Sequence, residues 1–100
     1  MWNKPTTKQL AKLPRLYETE NVKVTDKIIH MHFFMGGSDW YIAEYDGEAL
    51  FFGFAVLNGD TQMAEWGYIS FSELCRLRSG FVEVDRDLHW SPKAFKELIF

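Results

Sequence analysis

The chain has 100 residues, of which 47% are apolar, 17% aromatic and 25% charged, with a formal net charge of -3. That length holds a single domain, residues 1–100, with one modest core, and the balance excludes a largely disordered chain. Cys75 is the only cysteine, which excludes an intramolecular disulfide; no apolar run reaches a membrane span, and Met1–Lys12 lacks the apolar stretch of a secretory signal. A cytoplasmic protein without membrane contact is therefore expected.

Thr6 and Gln9 stand at capping-box spacing after Pro5, so a short helix is predicted there, with Leu10 and Leu13 on one face and Pro14 ending it. Residues 15–27 read as an irregular connection that closes in the polar turn Thr25-Asp26-Lys27. Ile28–Met35 alternates as a strand, with Ile29, Met31, Phe33 and Met35 on one face and His30, His32 and Phe34 on the other. Gly36-Gly37-Ser38-Asp39 turns the chain into a second strand, Trp40–Tyr45, and Asp46-Gly47 marks a hairpin. Leu50–Leu57 is apolar on both faces and reads as a covered central strand. After the turn Asn58-Gly59-Asp60, Gln62–Ile69 completes the series.

Ser70 with Glu73 opens a second helix, with Phe71, Leu74, Cys75 and Leu77 as its apolar stripe, Arg76 and Arg78 in its last turn, and Gly80 just past its end. Phe81–Val84 is a short strand candidate, and Ser91-Pro92 predicts a terminal helix that turns Phe95, Leu98 and Ile99 inward. The expected fold is α+β: an antiparallel meander sheet of about four to five strands, with short helices at the N-terminus, after the meander and at the C-terminus. Ile29, Met31, Phe33, Phe52, Phe54, Tyr68, Leu74, Phe95 and Leu98 are its expected core.

Charge is unevenly placed. Residues 1–27 carry six basic side chains against three acidic ones, residues 76–100 five against four, and residues 28–75 seven acids with no Lys or Arg. The acidic half offers no cationic track for phosphates, so direct nucleic-acid binding is not expected of it and a basic protein partner is. The plainer reading is that these acids keep an aromatic-rich domain soluble.

Several constellations carry possible chemistry. His30 and His32, two apart on a strand, can place two imidazoles on one metal, with Asp87 or His89 completing the set; two solvated histidines are the plainer reading. Asp85, Asp87 and His89 also have the makings of acid–base chemistry, but Arg86 reads more simply as a structural clamp bonded to a carboxylate, and Asp87 as a backbone acceptor in the turn before Ser91. Glu44, Asp46 and Glu48 flank a hairpin whose Asp-Gly turn already accounts for Asp46. Cys75 lies on an apolar stripe and reads as an inert thiol. Phosphate-loop, dinucleotide, serine-elbow and paired-cysteine motifs are all missing from the sequence, so no cofactor is expected.

Short motifs run through most of the chain: Leu13-Pro14, Leu16-Tyr17 and Thr19-Glu20; Trp40-Tyr41; Glu44-Tyr45-Asp46-Gly47; Phe51-Phe52-Gly53; Gly67-Tyr68 with Ser70; Glu73-Leu74; and Arg86-Asp87-Leu88 with Trp90. In these the chain resembles a small bacterial, phage and plasmid family known as domain of unknown function 2958. Trp66 and Asp85 depart from the family pattern, which has Leu and Glu there. The resemblance implies a mobile-element origin and carries over no catalytic residue.

The leading expectation is a non-enzymatic protein-binding protein, in its most concrete form an inhibitor of a host defence system (anti-CRISPR or anti-restriction) that occludes a basic surface. Trp40, Tyr41 and Tyr45 would supply apolar contact and Glu44, Asp46 and Glu48 the charged rim. The alternatives are a metal-dependent hydrolase or accessory enzyme built on His30, His32, Asp85, Asp87 or His89, and a nucleic-acid accessory protein using Lys4, Lys8, Lys12 and Arg15.

Overall fold

A computed structural model describes residues 2–98. Its elements are α1 (Thr7–Leu10), β1 (Ile28–Ile29), β2 (Met31–Met35), β3 (Ser38–Tyr45), β4 (Leu50–Val56), β5 (Glu65–Ser70), α2 (Phe71–Arg76), β6 (Arg78–Ser79), β7 (Val82–Glu83), β8 (Asp85–Arg86) and β9 (Lys93–Ala94), with short 3-10 turns at Val24–Asp26 and Phe95–Glu97. The architecture is α+β, as the alternation and turn residues predict. β2 to β5 form an antiparallel meander, and β8 adds to its β2 edge to give the order β5-β4-β3-β2-β8.

Both predicted caps form. The Thr6 hydroxyl accepts the Gln9 N–H at 3.1 Å, and the Gln9 side chain accepts the Thr6 N–H at 2.8 Å. The Ser70 hydroxyl accepts the Glu73 N–H at 3.2 Å, and Phe71 follows it into α2. Asp46 closes the β3–β4 hairpin by accepting the N–H groups of Glu48, Ala49 and Leu50 at 2.7, 2.8 and 3.0 Å. These three bonds hold its carboxyl below the ordinary aspartate value.

The core lies where α1, α2 and Trp2 meet one face of the sheet. Phe33, Trp40, Ile42, Tyr45, Phe51, Ile69, Leu74 and Val84 are buried in it with Leu10 and Leu13. Trp2 packs edge-on against Phe33 and Phe71, with centroids 5.7 and 6.1 Å apart. The opposite face carries Tyr41, Phe54 and Trp66 in one row of register partners and Phe52 with Tyr68 in the next. Phe95 covers part of it, 4.8 Å from Phe54 and 4.9 Å from Trp66.

One irregularity decides which side chains reach which face. The β3–β4 register shifts between Ile42 and Glu44, so Ala43 is an extra residue on β3. Strict alternation would turn Glu44 to the core with Ile42 and Tyr45 away from it. The bulge reverses both: Tyr45 joins Ile42 in the core, and Glu44 turns to the opposite face.

The structure corrects several expectations. Trp40, Tyr45 and Glu44 are buried, so the exposed hairpin contact expected of them does not form; Tyr41 and Asp46 are half-buried and Glu48 is exposed. Tyr68 is 54% exposed, because it stands on the second face near its edge. Ile29, Phe33 and Leu74 are buried as expected, while Met31, Phe52, Phe54, Phe95 and Leu98 are half-buried.

β5 begins at Glu65, because Asp60 gathers the N–H groups of Gln62 and Met63 into a turn. α2 stops at Arg76, and Gly80, at φ 63°, sits in the β6–β7 turn instead. No helix starts at Ser91-Pro92. Ala94 and Lys93 pair with Ile28 and Ile29, and the Phe95 N–H donates to the Lys27 carbonyl at 2.8 Å; a helix would forfeit those bonds. Ile99, expected on that helix, lies outside the described residues.

Candidate functional site: an aromatic cleft beside the meander

The segment before β1 crosses the second face of the sheet and leaves a cleft of about 310 Å³ lined by Tyr17, Glu20, Lys27, Glu44, Phe52 and Tyr68. Its floor is built around Glu44, which is 3% exposed. Oε1 accepts the Tyr17 N–H at 2.9 Å, and Oε2 accepts the Thr19 N–H at 3.1 Å and the Thr19 hydroxyl. Lys27, 6% exposed, donates to the Thr19 carbonyl and, at 2.9 Å, to Thr19 Oγ1. A hydroxyl has one proton to give; Thr19 gives its proton to the carboxylate and accepts from the ammonium. Lys27 and Glu44 are thus two buried, opposite charges joined through one hydroxyl.

The walls are aromatic. Tyr17 and Tyr68 touch hydroxyl to hydroxyl at 3.0 Å. Phe52 lies 5.6 Å from Tyr68 and stacks on Trp66 at 5.5 Å. Tyr17 is held at φ 72°, a left-handed conformation uncommon for a bulky side chain, and is 62% exposed. The Tyr17 hydrogen bond, desolvation and the negative charge of Glu44 all push the Tyr68 hydroxyl above its ordinary value. Two carboxylates, Glu20 and Glu44, and one ammonium, Lys27, line the cleft. Glu20 adds a carboxylate at the rim, with no cation in ion-pair reach among the described residues.

The other polar constellations are committed to structure. His32 Nε2 meets Asp39 Oδ1 at 2.7 Å and Nδ1 meets Asp87 Oδ2 at 3.1 Å, while the ring stacks on Tyr41 at 4.7 Å. Both ring nitrogens face carboxylates, leaving neither for a metal. Among the described residues no three His, Cys, Asp or Glu side chains gather as a metal site. His30 is half-buried, and burial holds its imidazole below the ordinary value. His89 is exposed, its N–H donating to Asp87 Oδ1 at 3.0 Å.

Arg86 differs from expectation. Its Nε donates to the Asn3 carbonyl at 3.1 Å, and among the described residues no carboxylate pairs with it. Asp85 is occupied elsewhere, with Oδ1 accepting the N–H groups of Asn3 and Arg86 at 2.8 Å each and the Asn3 amide at 3.0 Å. Arg86 and Asp85 together pin the N-terminal strap that carries Trp2.

The sequence puts Glu44 at the charged rim of a hairpin, whereas the structure buries it in the floor of this cleft. Sequence reasoning left Tyr17, Thr19, Lys27, Phe52 and Tyr68 out. The signal was present in the short motifs, since Tyr17, Glu20, Glu44, Phe52 and Tyr68 all fall within them and converge on this cleft. Residues 5–96 match the protein family of unknown function DUF2958. The chain belongs to that family. No curated protein and no solved structure matches it. The lining residues of the cleft all fall within the stretch that matches DUF2958.

Proposed function

We propose that this protein acts by binding, without catalysis, and that the cleft is where it engages a basic surface of a partner protein. The observation that carries this reading is the meeting of three aromatic rings, Tyr17, Phe52 and Tyr68, above a buried carboxylate. Ring faces and the exposed carboxylate of Glu20 attract a cation, and residues 28–75, which supply Glu44, Phe52 and Tyr68 to the lining, carry seven acids and no Lys or Arg. The same charge map disfavours nucleic acid. The specific form put forward is an inhibitor of a host defence system that occludes a basic groove, supported by the resemblance to phage and plasmid proteins and by charge alone.

The test is binding of the purified protein to a set of basic, neutral and acidic peptides, with single-stranded DNA as control. Binding confined to the basic peptides, weakened by salt and by Glu20→Gln, is expected. Tight DNA binding, or peptide binding indifferent to charge, rejects the reading.

A further inference from the structure

Resting on that reading, we infer that the cleft is an arginine site: it takes one guanidinium of the partner, stacked on the aromatic walls and hydrogen-bonded to the rim carboxylate of Glu20.

The argument begins with what in the cleft is already committed. The charges of Lys27 and Glu44 answer each other through Thr19. The acceptors that remain are Glu20 and the oxygens of the Tyr17 and Tyr68 hydroxyls. These are several acceptors set around ring faces, in a space of about 310 Å³. A guanidinium has five N–H donors in a planar fork, stacks on aromatic faces and sheds water readily. It can lie flat on a ring while its edge donates to Glu20 and a tyrosine oxygen.

A lysine head fits the same place less well. It is a compact, strongly hydrated charge with three donors, and it would bring its charge undiluted toward the buried ammonium of Lys27. A guanidinium spreads its charge over a plane. An anionic group is opposed by the carboxylate of Glu20. The two tyrosines at the mouth are both more than half exposed, so their outer edges are open to a long side chain entering from solvent.

The experiment uses one neutral host peptide with arginine, lysine or citrulline at a single central position, titrated into the labelled full-length protein and followed by NMR. Citrulline keeps the planar shape and removes the charge. Binding of the arginine peptide about tenfold tighter than the lysine or citrulline peptide is expected, with shifts centred on Tyr17, Phe52 and Tyr68. Tyr68→Ala and Glu20→Gln alter exposed side chains, so the fold stays intact and the arginine preference falls to the lysine level. Equal binding of the arginine and lysine peptides at this cleft overturns the arginine assignment and leaves the basic-partner reading standing. Failure of both basic peptides to bind the folded protein overturns both.

Discussion

The backbone N–H of Tyr17 donates to Glu44 Oε1 at 2.9 Å, so a buried carboxylate holds a non-glycine residue at φ 72°. The two residues are 27 positions apart, and neither conformation is explained without the other. Left-handed backbone costs an L-residue roughly 1–2 kcal/mol. A carboxylate that accepts from backbone offsets it, since hydrogen bonds to charged groups contribute about 1.5–3 kcal/mol. The bulge at Ala43 puts Glu44 within reach. The result is a tyrosine ring fixed at the mouth of a cleft by a loop that has no regular secondary structure of its own.

Glu44→Gln tests that arrangement. The amide keeps one acceptor oxygen, turns N–H groups toward the donors of Thr19 or Tyr17, and leaves the buried charge of Lys27 uncompensated. A loss of about 2–4 kcal/mol is expected in urea unfolding. Lys27→Met should be destabilising by itself, yet the double variant should lose less than the two losses added, because each single change strands the other charge. Strict additivity would show that the Thr19 bridge does not couple them.

Much of this fold was readable in the sequence, and the failures have specific causes. β2 to β5 announce themselves because apolar alternation is broken by Gly-Gly, Asp-Gly and Asn-Gly at the true turns. Ile42-Ala43-Glu44 carries no mark of a bulge; the shift is imposed by burial of Tyr45 on one face and the needs of Glu44 on the other. Ser91-Pro92 is a sound helix start locally, but pairing of β9 with β1 overrides it. The cleft joins residues far apart in the chain, so spacing could not reveal it, although the short motifs already contained most of its lining.

The left-handed position gives a second prediction. At φ 72°, Tyr17→Gly removes the backbone penalty whereas Tyr17→Ala retains it. The usual order of these residues should invert, with the Gly variant more stable by about 1 kcal/mol. Thermal unfolding of the two decides it. An Ala variant as stable as the Gly variant would mean that Tyr17 is not held in the left-handed region.

Gly53 is the close neighbour of the bulge. It pairs with Ile42, and a Cβ built on it would stand 2.2 Å from the Tyr41 carbonyl oxygen. The obstacle is backbone in a central strand pair, which cannot swing aside as a side chain does. Gly53→Ala should cost about 3 kcal/mol and disturb β3 from Tyr41 to Glu44, the stretch that sets both the core and the cleft floor. Gly67→Ala, with nothing within 4 Å of its Cβ, is the matched control on the adjacent strand and should change stability by under about 1 kcal/mol. Similar losses for the two would show that the bulge makes no special demand on Gly53.

The last prediction concerns acid. Asp87 joins the chain after β8 to the sheet through His32 Nδ1 at 3.1 Å, and its other oxygen accepts the His89 N–H at 3.0 Å within the segment. Burial pushes its carboxyl up, but those bonds and the histidine charges outweigh it, and the group is held below its ordinary value of 3.8. A carboxyl lowered in the fold favours the folded state wherever it is ionised. Its contribution is complete above the unfolded value and is lost as pH falls through the folded one. Stability should therefore drop below about pH 4 by an amount that Asp87→Asn removes. At neutral pH the same variant should be weaker than wild type by about 1–2 kcal/mol, because the amide keeps only one acceptor for two donors. Urea unfolding at intervals from pH 7 to about pH 2.5 gives both curves. Convergence of the two at the acid end is the expected result; parallel curves would mean that Asp87 does not link the 85–90 segment to His32.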